Sequence, residues 1–172
     1  MNEILTVVIV LCAIGFVAFT FVILFGAPFL PTLKARTNEA LDLLDLQPGQ
    51  TLLELGSGDG RILRAAAERG IYSIGYELNP FLVWWSMARN LKYRRFITVR
   101  WANYWRHPLP LTDGIYVFLL KPFMEKLHTK ITQEITRPVK VVSFGFEIPG
   151  KKPRRQRHGL FLYEYQPEPA KA

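Results

Sequence analysis

The stretch Leu52-Leu53-Glu54-Leu55-Gly56-Ser57-Gly58-Asp59-Gly60-Arg61 decides how this chain folds. A short apolar run meets glycines at alternate positions, and the helix-forming run RILRAAAER follows at 61–69. That reads as a strand, a tight turn and a helix, closed by Gly70. Gly56 and Gly58 let backbone approach a ligand with no side chain in between. The dinucleotide fingerprint needs glycines at 56, 58 and 61. Here position 61 is Arg and the third glycine stands at 60. With Glu54 two residues ahead, this G-x-G-x-G spacing suits a ligand bearing an amino-acid moiety better than a pyrophosphate. The chain has no G-x-x-x-x-G-K-[ST] phosphate loop.

The alternation continues on both sides of the turn. Residues 33–46 read as an amphipathic helix with Ala40, Leu41 and Leu44 on one side. Gln47-Pro48-Gly49 breaks it. Strands are expected at 51–55, 72–77, 96–101, 114–120, 139–144 and 159–165, and helices at 80–90 and 123–135. Asn79 is placed to cap the helix at 80–90, and Pro80 suits its first position. Phe81, Trp84, Trp85 and Ala88 recur on that helix at helical spacing, which reads as a core-facing stripe. The whole pattern predicts an α/β, Rossmann-like, doubly wound and mostly parallel sheet. Such sheets bind ligands beyond the C-terminal ends of their strands. The segment between the fifth and last strands is too short for a crossover helix, so the sheet is expected to be reduced at its C-terminal end. Glu77 closes the second strand, and a carboxylate there can accept hydrogen bonds from both ribose hydroxyls. Glycine turn and acid together point to an adenosine-bearing cofactor.

At 172 residues the chain is long enough for one domain and cramped for two. A mean hydropathy of +0.10 beside a net charge of +8 conceals a segregation. From Met1 to Leu33 the only charged side chain is Glu3; all 22 Lys and Arg and the other 13 acids follow, a net +9. So many Phe, Trp, Leu and Ile exclude disorder, and the single cysteine, Cys12, excludes a disulfide scaffold or a cysteine metal site. Residues 4–25 (ILTVVIVLCAIGFVAFTFVILF) carry no charge and are long enough to cross a hydrocarbon core of about 30 Å. Glu3 in place of a basic start, and the poor cleavage site Gly26-Ala27-Pro28, argue against a signal peptide. The expected organisation is a transmembrane anchor and linker over 1–31 and one domain over 32–172. Lys34 and Arg36 after the span put that domain on the cytoplasmic side.

Lys151-Lys152-Pro153-Arg154-Arg155-Gln156-Arg157 concentrates five charges. It reads as a solvated loop or as a contact for anionic lipid headgroups. No aromatic interleaving accompanies it, so no nucleic acid is expected. His107, His128 and His158 stand singly, and no metal site is expected.

The run Glu54 to Ile62, followed by Gly75-Tyr76-Glu77-Leu78-Asn79-Pro80-Phe81-Leu82-Val83-Trp84, resembles class I S-adenosylmethionine-dependent methyltransferases. More narrowly, it resembles the membrane-anchored protein-lysine methyltransferases of the mitochondrial inner membrane, which modify the adenine nucleotide translocase and the c-ring protein of ATP synthase. The resemblance implies S-adenosylmethionine as cofactor and S-adenosylhomocysteine as product. It implies that Glu54, Gly56, Ser57 and Gly58 line the methionine end, with Asp59 nearby. Glu77 would hold the ribose and Leu78 flank the adenine. Asn103 stands where the family has Asp, and its amide oxygen can still accept a hydrogen bond from the adenine amino group. The loop 119–123 falls where relatives place the transferred methyl, and lacks the Asn-Pro-Pro-Tyr of amide and base-amino methylation. Trp105, Pro122 and Phe123, with Tyr104, are the candidates for a substrate slot. The implied function is methyl transfer to a lysine of a membrane or membrane-associated protein, on the matrix side if the setting is mitochondrial. Two alternatives remain open: a small lipophilic substrate such as a quinone or lipid, and a non-catalytic module binding anionic partners through 151–157.

Overall fold

The structure, a computed structural model, describes residues 3–10, 12–13 and 34–167. Residues 3–10 are helical. The remainder of the span expected at 4–25, and its linker, lie outside the described residues. No described helix is long and apolar enough to cross a membrane.

Seven strands form one sheet: β1 (Thr51–Leu55), β2 (Tyr72–Glu77), β3 (Ile97–Trp101), β4 (Gly114–Phe118), β5 (Val139–Phe144), β6 (Arg155–Arg157) and β7 (Leu160–Tyr165). Their spatial order is β3-β2-β1-β4-β5-β7-β6. The first five run parallel. β7 runs antiparallel between β5 and β6. The helices are α1 (Lys34–Leu44), α2 (Arg61–Glu68), α3 (Pro80–Arg89) and α4 (Met124–Glu134). The order reverses between β1 and β4, so their C-terminal ends diverge and leave a crevice.

Strand periodicity sorts the core into two layers. Leu52, Tyr116, Val142 and Leu162 face one side, against Ala40, Leu41 and Leu44 of α1 and Ile62 and Ala66 of α2. Leu53, Leu55, Ile115, Val117 and Val141 face the other, against Met124, Leu127 and Ile131 of α4. Ser86 and Asn90, at the C-terminal half of α3, lie against Gly60, so α3 stands beside α2.

Two expectations need correction. The sheet is not reduced in strand number: the crossover helix between β5 and β7 is absent among the described residues, but Arg155–Arg157 pair with β7. His158 and Gly159, both left-handed at φ 49 and 79, make the tight turn of that hairpin, the geometry that suits right-handed strand twist. Three of the seven residues of the basic stretch, Arg155–Arg157, are thus strand, with their side chains exposed. The second correction concerns α3. Phe81, Trp84, Trp85 and Ala88 are exposed rather than core. The helix buries small Ser86 and Asn90 instead, because its neighbour there is the glycine turn and leaves no space for a large side chain.

Candidate active site

The loops after β1, β2, β3 and β4 open at one edge of the sheet, since these strands are parallel and in register. The turn after β1 is held from below. Gly56 and Ser57 donate their N–H groups to the Tyr76 carbonyl at 2.8 and 3.0 Å. Gly56, Gly58 and Gly60 all have positive φ, which L-residues with a Cβ resist. At Gly60, which caps α2, a Cβ would stand 2.1 Å from Ser86 Oγ. Gly75 in β2 performs a similar service that its sequence context leaves unassigned: a Cβ there would meet Ser57 Oγ at 2.6 Å.

Three carboxylates surround this turn, each in a different state. Asp59 is buried and committed to the protein. Arg61 reaches it with two guanidinium nitrogens, at 2.9 and 2.8 Å, and Arg89 Nη1 at 2.8 Å. Burial opposes its ionisation, but the Arg61 hydrogen bonds and the two positive charges outweigh that and lower its pKa. Asp59 therefore ties the turn to α3.

Glu77 is buried at the end of β2 and accepts from two backbone N–H groups, Gly58 to Oε2 and Asn79 to Oε1, each at 2.8 Å. Burial raises its pKa, and those backbone donors partly offset the rise. A carboxylate offers about four lone-pair sites, so Glu77 keeps capacity for further donors.

Glu54 is the anomaly. It is buried on β1, and its Oε2 has no hydrogen-bond partner. Burial, then the negative charges of Asp59 and Glu77, push its pKa well up, against the pull of Arg61. Ser57 Oγ beside it is likewise buried and unpartnered. Orphaned polar atoms of this kind are costly in a closed interior. Both belong to the glycine turn and the strand that leads into it.

A second group gathers beyond β3 and β4. Tyr104 and Trp105 rings stand 4.8 Å apart, and Trp105 and Phe123 6.2 Å apart. Phe123 and Pro122 belong to a 3-10 turn, Lys121–Phe123, that leads into α4. Pro122 itself is exposed. Lys126 Nζ lies 4.5 Å from the Trp105 ring centroid, so that ring face accepts an ammonium group. Burial, then the charge of Glu77, raise the Tyr104 hydroxyl pKa. Asn103 Oδ1 accepts the Trp105 N–H at 3.0 Å and retains a second lone pair. Leu78 is half-buried, its carbonyl taking the Trp101 indole N–H at 2.9 Å. The three histidines lie apart: His128 meets the Tyr165 hydroxyl, His158 meets Glu39, and His107 meets the Asn103 carbonyl.

A doubly wound sheet in this order, with a glycine turn and a strand-end acid at the point of reversal, is the class I methyltransferase fold. The chain belongs to the ANTKMT methyltransferase domain family, whose model matches residues 54–155. It is 30% identical over 124 residues to the Homo sapiens lysine N-methyltransferase of the ATP synthase c-ring protein, covering 71% of this chain and 53% of that protein. The chain thus spans about half the length of that relative. A protein-lysine N-methyltransferase of Saccharolobus islandicus is 26% identical over 149 residues, 79% of this chain and 92% of that protein. Among solved structures, an RNA methyltransferase from Salinibacter ruber in complex with S-adenosyl-L-homocysteine matches with TM-score 0.73 and 27% identity, over 81% of this chain and 95% of that one.

Proposed function

We propose that this chain is an S-adenosylmethionine-dependent protein-lysine methyltransferase, held at a membrane through residues 4–25 with its domain on the cytoplasmic or matrix side. The observation that carries the reading is the pair of buried, unpartnered polar atoms at the glycine turn, Glu54 Oε2 and Ser57 Oγ, beside the half-used carboxylate of Glu77. They fit the polar groups of an amino-acid end and of a ribose, with Gly56 and Gly58 giving backbone access. Leu78 and Asn103 then face the base. The relatives that methylate protein lysines support the substrate class.

When bound, that cofactor supplies a methyl group on a positively charged sulfur. The chain's own task is to present a neutral amine to it. An exposed lysine titrates near ~10.4 and is almost wholly protonated at neutral pH. Tyr104, Trp105 and Phe123 are the partly buried rings that would wall the amine's slot, and desolvation among them would disfavour the ammonium form. The aromatic walls then confine the amine. Orientation in a narrow slot supplies much of the rate, and no strong base is required.

Calorimetric titration with S-adenosylmethionine and with S-adenosylhomocysteine tests this reading. Saturable binding of both at one site per chain is expected, weakened at least about tenfold in Glu77→Ala, a loss of roughly 1.4 kcal/mol. Absence of binding, or binding indifferent to Glu77, would remove the cofactor assignment.

A further inference from the structure

The exposed face of α3 belongs to no site described so far. Phe81, Trp84, Trp85 and Met87 are 63%, 61%, 41% and 53% exposed, and Leu91, in the 3-10 turn that follows the helix, is 67% exposed. The aromatic members are contiguous: Phe81 and Trp84 ring centroids lie 6.1 Å apart, and those of Trp84 and Trp85 6.4 Å. Trp101, 69% exposed at the end of β3, is tied through its indole N–H to the start of this helix. Scattered apolar residues on a surface need no explanation, but a continuous helical face of this size does.

The charge carried by this stretch of chain is one-sided, with Glu68 of α2, at 3.1 Å from the Tyr93 hydroxyl, an acid beside it. Between Glu77 and Asp113 the chain contains no acid, and it carries Arg89, Lys92, Arg94, Arg95, Arg100 and Arg106. Lys92, Arg94, Arg95 and Arg100 are exposed. Indoles and aliphatic side chains on one face, with cations at the margin, are the composition of a helix that lies in a bilayer interface. Trp in particular favours the headgroup level. A nucleic-acid platform would use flat rings in a groove. Met87 and Leu91 have no flat face, and α3 is convex. The same side of the sheet carries α1, the helix that follows the uncharged N-terminal segment.

We propose that the α3 face docks the domain onto an anionic lipid surface, with Phe81, Trp84 and Trp85 in the headgroup region and the Arg94–Arg95 margin on lipid phosphates. The inference rests on membrane attachment through residues 4–25. Docking of this kind would fix the orientation of the catalytic edge relative to the bilayer, so that a lysine close to the membrane surface is the accessible substrate.

The full chain is reconstituted into phosphatidylcholine vesicles with and without phosphatidylglycerol, containing lipid brominated near the head of the acyl chain. All four tryptophans lie between 84 and 105, so tryptophan quenching reports this region. Quenching of roughly twofold is expected with phosphatidylglycerol, for an interfacial indole. It should largely disappear in Trp84→Phe/Trp85→Phe, and weaken in Arg94→Glu/Arg95→Glu, with S-adenosylhomocysteine binding retained in both. A chain that floats with the vesicles but shows no quenching overturns the docking surface and leaves the anchor standing. A chain that does not float overturns both. Quenching that ignores phosphatidylglycerol and the arginine variant removes the anionic lipid. Quenching by single-stranded RNA instead of lipid at physiological salt would assign the face to nucleic acid.

Discussion

Glu54 shows how burial sets the charge state of a single side chain. Its carboxyl is buried without a partner on one oxygen, and its pKa stands well above the usual 4.5. A carboxyl whose folded pKa is raised contributes stability below its ordinary range and loses it as pH rises through the folded value. Glu54→Gln should therefore be more stable than the parent at pH 8 and nearly equal to it at pH 5, as thermal unfolding at the two values would read. The same variant should bind S-adenosylhomocysteine more weakly, because it removes the carboxyl that can ionise beside the ligand's ammonium group. Asp59 carries the opposite sign. Its lowered pKa means that its stabilisation is present above the ordinary carboxylate range and lost as pH falls through the folded value. Asp59→Asn should destabilise the domain by about 2 kcal/mol at pH 7, and the gap should close in acid, where both proteins have lost the ion pairs. The glycine spacing and Glu77 were legible in the sequence because local backbone geometry dictates them. Asp59's role was not: Arg89, which helps to neutralise it, lies on another helix, and only the fold brings the two together.

At the scale of elements, α3 and the α2 turn depend on each other. Gly60 has a left-handed φ of 72 and faces Ser86 and Asn90 at distances no Cβ tolerates. Gly60→Ala should cost about 1–3 kcal/mol in chemical denaturation, more than an exposed glycine such as Gly49 would show. Asn79 caps α3 by accepting from Phe81 and Leu82 N–H groups; Asn79→Ala should cost about 1 kcal/mol. β1, β2 and β5 fall at the bounds their apolar runs predict, because central parallel strands are continuous and bracketed by turn residues. β6 escapes that logic. Its three residues are all polar, all exposed, and held by pairing with β7. The face of α3 escapes for a different reason. Helical spacing reveals a stripe, but not whether the stripe meets the core, and here small polar residues meet the glycine turn.

At the scale of the whole molecule, the uneven sequence divides into an N-terminal segment whose only charge is Glu3 and a domain bearing a net +9. The domain places its glycine turn at the reversal of strand order, and the rings of Tyr104, Trp105 and Phe123 gather beyond β3 and β4. Gly58→Val should abolish cofactor binding in calorimetry and, with a β-branched residue forced to positive φ in a buried turn, lower stability, while the circular dichroism of the sheet is kept because the turn belongs to no strand or helix. The central claim, methyl transfer to a protein lysine, is tested most directly by incubating the purified chain with deuteriomethyl-labelled S-adenosylmethionine and native membranes. Mass spectrometry of delipidated, digested protein should find the label on lysine side chains, and only when the chain is active. Label recovered solely in the organic extract, or in RNA, would contradict it.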